Sequence, residues 1–162
     1  EESNAYTYYN IEKETYYGLN SSLNTIINTH NFTFMWNFYN VENEVFTYTK
    51  PRENMSLSYS FEYEKWNLRA NVNWKYKSKS EYQRINENEE LISYQQEPYQ
   101  LINISLLKNI PYINSSFSFG IKNLLNVRNI NSGIQNEIHS GSEHIISWGR
   151  TFFIEFKANL IN

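Results

Sequence analysis

The chain predicts an all-β fold, an antiparallel up-and-down transmembrane β-barrel wall of about eight strands. Three observations lead there. Apolar and polar residues alternate with a period of two in most segments, which puts successive side chains on opposite faces of a strand. Short and long connections alternate between those segments, the pattern of tight periplasmic turns and long external loops. Aromatic residues make up 17% of the chain and include 14 Tyr. Rings with an apolar body and a polar tip suit a boundary between water and lipid.

The elements follow in order. A first strand over about Asn4 to Ile11 carries Tyr6 and Tyr8 on one face. A charged corner, Glu12-Lys13-Glu14, leads to a second over about Thr15 to Ile27, with Tyr17, Leu19, Ser21 and Leu23 on one side. After the polar break Asn28-Thr29-His30-Asn31, the third places Phe32, Phe34, Trp36 and Phe38 opposite Thr33, Met35, Asn37 and Tyr39. Residues Asn40 to Asn54 read as a loop with a strand extension at Val45 to Tyr48. The fourth and fifth strands form the clearest hairpin. Met55, Leu57, Tyr59, Phe61 and Tyr63 alternate with Ser and Glu; beyond the Glu64-Lys65 corner, Trp66, Leu68, Ala70, Val72, Trp74 and Tyr76 alternate with Asn, Arg and Lys. One apolar and one polar face in both strands match a lipid-facing exterior and a watery interior. Ser78 to Pro98 reads as a long polar loop, and alternation resumes from Tyr99 to Leu107. A corner containing Pro111, which cannot donate to a sheet ladder, precedes Phe117, Phe119, Ile121 and Asn123. Asn126 to Ser147 reads as the last external loop. From Trp148 the final strand alternates to the end, with Phe152, Ile154, Phe156, Ala158 and Leu160 on one face.

Composition removes several classes. With 162 residues the chain has the length of one domain able to bury a single core. No apolar run approaches the ~20 residues of a transmembrane helix. The absence of Cys excludes a disulfide scaffold and a Cys-based metal site. A net charge of −3 gives no reason to expect nucleic acid as a partner. No nucleophile constellation, P-loop or paired-carboxylate motif is present, so an enzyme has little support. The start at Glu1, with neither Met nor an apolar leader, is expected of a processed chain or a piece of a longer one.

Gly120-Ile121-Lys122-Asn123-Leu124-Leu125-Asn126-Val127-Arg128-Asn129, followed about twenty residues later by Trp148-Gly149-Arg150-Thr151-Phe152-Phe153-Ile154, resembles the closing strands of TonB-dependent outer-membrane receptors. Tyr9-Asn10-Ile11-Glu12 with Tyr17-Gly18-Leu19-Asn20 is similar to an upstream element of that family, with Asn20 where an acidic residue is usual. The resemblance implies that residues 1–162 are the C-terminal part of a 22-stranded barrel, without the plug domain. It implies active transport across the cell outer membrane, with external loops capturing an iron-siderophore or haem ahead of an oligosaccharide or peptide. The implied partners are the remaining barrel strands and plug, TonB through the absent N-terminal part, outer-membrane lipid and the barrel-assembly machinery. No cofactor is implied beyond the transported haem or ferric siderophore.

Candidate site residues follow. His139 and His144, with Arg128, lie in the predicted last loop where a ligand would pass, and imidazole binds iron and haem; an ordinary loop with two chance His residues is the simpler account. His30 reads as a solvated turn residue. Trp36, Trp66, Trp74 and Trp148 are expected as membrane-interface anchors. Gly149, Phe152, Ile154 and Phe156 resemble a barrel-assembly signal, although the chain ends Leu160-Ile161-Asn162 and not in the usual Phe. Two other readings stay open. One is an autonomous eight-stranded barrel with a structural or adhesion role, filled by Glu62, Glu64, Asn71, Asn73, Lys75 and Lys77. The other is a soluble β-sandwich, whose core would give the same alternation.

Overall fold

The period-two pattern becomes one antiparallel sheet. The computed structural model describes residues 14–43, 46–48, 51–85, 91–134, 142–145 and 147–158. They form β1 (Glu14–Ile27), β2 (His30–Asn43), β3 (Phe46–Tyr48), β4 (Arg52–Tyr63), β5 (Leu68–Lys77) and β6 (Ser80–Ile85). The remainder are β7 (Leu91–Gln96), β8 (Tyr99–Ile110), β9 (Ser115–Lys122), β10 (Asn129–Ile134), β11 (Ser142–Ile145) and β12 (Thr151–Ala158). Every pairing is antiparallel between chain neighbours, and β3/β4, β5/β6, β7/β8, β9/β10 and β11/β12 are two halves of one long strand, so the segments amount to a meander of seven strands.

The meander has two halves that share β2. The proximal half runs β1-β2-β4-β5-β8-β9-β12, and the distal half runs β2-β3-β6-β7-β10-β11. Between them the long strands break along a seam. Pro51 and Pro98 lie on it, where a residue without an N–H interrupts the ladder. Ser78 repairs part of the break: its hydroxyl accepts the Glu53 N–H at 2.8 Å, and its own N–H donates to the Glu53 carbonyl at 2.9 Å.

Turns at the proximal end are tight because asparagine supplies the left-handed backbone they need. Asn28, Asn67 and Asn114 have φ of 54°, 48° and 47°, a region where a short amide side chain is tolerated and branched ones are not. Asn67 and Asn114 each close a single 3-10 turn, Glu64–Trp66 and Pro111–Ile113.

Several sequence expectations change. The predicted first strand, Asn4 to Ile11, lies outside the described residues, as does Leu160. The sheet is open: among the described residues β1 and β12 each have one neighbour and do not meet, so a closed barrel is not seen. Within Asn40 to Asn54 the strand extension expected at Val45 to Tyr48 is seen as β3, while β2 runs on to Asn43 and β4 begins at Arg52; Ser78 to Pro98 and Asn126 to Ser147, expected as loops, carry β6, β7, β10 and β11. In β6, β7, β10 and β11 polar residues interrupt the apolar beat and concealed the strands, because alternation reports an apolar side and not a backbone state. The final strand begins at Thr151 after a bend, and Trp66 lies in a turn and not in β5. His30 opens β2, its Nδ1 2.8 Å from the Tyr59 hydroxyl and its ring stacked on Phe61 at 4.9 Å, so it is no solvated turn residue.

Candidate functional site

Register gathers the apolar residues of the proximal half onto one face. Leu23, Phe34, Leu57, Trp74 and Ile102 form one cross-strand row, and Tyr59, Val72, Ile104, Ile121 and Phe152 form another. Lys108 borders the band at the turn end, donating to the Trp66 carbonyl, and Glu53 borders it at the seam. No Asp, Glu, Lys or Arg stands on this face between them. From Leu68 to Tyr76 the band measures about 26 Å along the strand, and the seven strands cover roughly 29 Å across, giving an apolar face of about 750 Å². Compact monomers rarely leave a patch above ~600 Å². All described strands belong to this one sheet, so no second layer covers the face, and Phe152 and Ile154 are 71% and 75% exposed.

The opposite face carries many short polar side chains, with Met35, Leu101, Leu107 and Phe153 among them. Thr33 donates to Asn24 at 3.2 Å, Ser58 to Asn73 at 2.9 Å, and Asn71 to Ser105 at 3.3 Å. Each bond joins different strands, so these polar groups satisfy one another, whereas Asn31 Oδ1 and Asn54 Oδ1 on the same face are buried without a hydrogen-bond partner among the described residues. Glycine recurs on this face opposite an aromatic residue. Gly120 pairs with Phe153, and a Cβ there would come within 2.4 Å of the Ile104 carbonyl oxygen and 2.7 Å of that ring. Gly18 pairs with Tyr39, where a Cβ would lie 2.2 Å from the Phe38 carbonyl oxygen.

At the seam, the two sequence segments that carry the family resemblance meet. Asn123 is buried, with φ of 54°. Its N–H donates to Asn103 Oδ1, its Nδ2 donates to the Val127 carbonyl and the Ser147 hydroxyl, and its Oδ1 accepts the Val127 N–H. Arg150 donates from its N–H to Asn126 Oδ1 at 2.9 Å and from Nε to the Leu124 carbonyl at 2.9 Å. Gly149 has φ of 86° and sits against Arg128 and Asn126. Asn123 was expected in strand with Phe117, Phe119 and Ile121; it is the left-handed residue that ends β9 instead. Its repetition with Asn126 was the available signal, since Asn is the side chain best suited to that backbone region.

Other predicted site residues are spread out. Trp66 stands at the turn end of the band, edge-on to Tyr63 at 5.3 Å. Trp74 and Trp36 stand toward the seam, Trp74 donating to Gln100 at 3.0 Å. Trp148 is 98% exposed at the bend before β12. Phe152, Ile154 and Phe156 share the uncovered face. Arg128 is exposed, with Nε 3.4 Å from Asn126 Oδ1. His144 belongs to β11, its backbone opposite Ile130; His139 lies outside the described residues. Among the described residues no three His, Cys, Asp or Glu side chains converge as metal ligands, and no helix is long and apolar enough to cross a membrane. Comparison with protein-family models, curated proteins and solved structures finds no match to this chain.

Proposed function

We propose that this chain is a wall segment of an outer-membrane transport barrel of the TonB-dependent receptor type, its apolar face against lipid and its polar face toward the lumen. The charge-free band carries the reading. It is uncovered, nine residues tall from Leu68 to Tyr76, and the length expected of a membrane-crossing strand. A soluble sandwich would need a second sheet over that face, and the described strands form one. Two strand edges without partners among the described residues favour pairing with further wall strands over a free existence, because an unpaired backbone group in lipid costs several kcal/mol. The distal hairpins then project outside as ligand-capturing arms, and the cargo is a ferric siderophore or haem.

The test is to fractionate native membranes, then label the detergent-extracted protein with a photoactivated apolar reagent. The expected result is recovery with the outer membrane, heat-dependent gel migration, and label on Ile104, Phe119 and Ile154 but not on Ser58, Asn73 or Asn103. Recovery in the aqueous fraction, or label on both faces, removes the proposal. Peptide mapping of co-purifying material separates the receptor, which brings plug and further barrel peptides, from a small autonomous barrel, which brings none.

A further inference from the structure

Beyond a generic polar lumen, the proximal half carries a specific concentration of positive charge. We propose that its polar face holds a binding site for an oligoanion, a solute with two or more carboxylate or phosphate groups, centred on Lys75 and Lys77. The inference deepens the barrel reading and rests on it, since that reading turns this face toward the path of a solute.

Lys75 and Lys77 alternate along β5 and so share one face, about 6.6 Å apart along the strand. They border a hollow of about 310 Å³ that spans β2, β4, β5 and β8, lined by the polar Asn37, Asn54, Ser56 and Tyr99 and by the apolar Met35 and Leu101. Register fixes their neighbours: Lys75 lies between Ser56 and Leu101, and Lys77 between Asn54 and Tyr99. None is acidic. The acids on this face of the proximal half are Glu14 at the start of β1, Glu62, which is bound to Arg69, and Glu155, out on β12. Just past the seam, Glu81 pairs with Lys79 at 2.7 Å. Among the described residues neither Lys75 nor Lys77 forms an ion pair, and the Lys77 ammonium rests 5.9 Å from the centre of the Tyr99 ring.

The chemistry that fits is narrow. Two adjacent ammonium groups repel a cation and are only half neutralised by a monoanion, whereas two anionic groups on one solute satisfy both. Amide and hydroxyl groups of Asn37, Asn54, Ser56 and Tyr99 share the hollow with the charges and supply further hydrogen bonds to the remaining oxygen lone pairs, while Met35 and Leu101 line the rest of it. The charge is also selective in place. Arg52, Lys122 and Lys157 stand on the same polar face, although the whole chain has a net charge of −3. A cationic face between low-dielectric walls concentrates anions along the path.

The experiment is calorimetric titration of inorganic pyrophosphate into the protein extracted from native membranes in a non-ionic detergent, at low and high NaCl. The expected result is saturable binding that weakens with salt and falls about tenfold or more in Lys75→Gln/Lys77→Gln. Lys75→Arg/Lys77→Arg, which keeps the charge, and Lys157→Gln, which is remote, are expected to bind within about threefold of the parent. Heat-dependent gel migration establishes that each variant is folded. Failure of the parent protein to bind, or undiminished binding by the folded double Gln variant, overturns the inference while leaving the barrel reading in place. A protein recovered from the aqueous fraction removes the barrel reading itself and this inference with it.

Discussion

The two halves of the sheet handle their apolar residues in opposite ways. In the distal half Val41 and Ile130 are 5% and 3% exposed and Ser80 is 1% exposed, so these two apolar side chains are covered by the chain itself. In the proximal half nothing among the described residues covers the band, and Leu57, Ile104, Phe119 and Phe156 are all exposed. Same backbone, same pairing, different exposure: Val41 and Ile130 are buried by the chain, whereas the proximal band would be stabilised by a medium or partner that presents its own apolar surface. Length separates them too. The proximal strands β4, β5 and β8 run 12, 10 and 12 residues, whereas β3, β7 and β10 run 3, 6 and 6.

The largest effect expected from breaking this difference is a charge at the middle of the band. Ile104→Lys should cost about 2–4 kcal/mol in lipid or detergent, measured by denaturant titration of the refolded protein, whereas Gln95→Lys in β7 should stay within ~0.5 kcal/mol. Equal effects in both halves would end the distinction between them. Next comes Gly120→Ala, whose new methyl meets the Ile104 carbonyl oxygen and the Phe153 ring; overpacking of this kind costs about 1–3 kcal/mol. Phe153→Ala made alongside it should recover part of that loss, because it removes the ring and not the carbonyl. No recovery would mean that the backbone contact alone sets the cost.

How much of this was readable beforehand differs between the halves for the same reason. Period-two alternation located β1, β2, β4, β5, β8, β9 and β12 to within a few residues, since one side of each carries a run of apolar residues. It missed β6, β7, β10 and β11 because Glu81, Gln83, Gln95, Gln96, Asn129 and Asn131 give no apolar beat to follow, and the pairing of these segments is set by the strands beneath them. The seam was half legible. The Gly120 to Asn129 and Trp148 to Ile154 segments were singled out as belonging together, but the role of Asn123 as a buried connector was not. That role depends on three partners, Asn103, Val127 and Ser147, far apart in sequence. The hollow around Lys75 and Lys77 was equally hidden: both lysines were visible as polar-face residues, but which strands stood beside them was not.

The seam offers a sharper probe of the boundary. Asn123→Ala strands the Val127 N–H and carbonyl and removes the bond to Ser147, at a cost of about 1–3 kcal/mol for buried groups left without partners. The loss should appear as faster amide exchange in β10 and β11 before β4 and β5 are affected. Simultaneous loss across both halves would show that they unfold as one unit and that the seam is no boundary.

The smallest effect tests whether the polar face is wet. Glu62 and Arg69 form an ion pair with both side chains 47% exposed. An ion pair open to water is worth about 0.2–1 kcal/mol and is weakened by salt, so a double-mutant cycle with Glu62→Gln and Arg69→Gln should return a coupling in that range that shrinks as NaCl is raised. A pair sealed in a packed interior behaves otherwise: removing one partner costs about 3–5 kcal/mol, and salt matters little. The two outcomes therefore separate a water-filled lumen from a small barrel packed with its own polar side chains, because the same two residues face water in the first and one another's dry surroundings in the second.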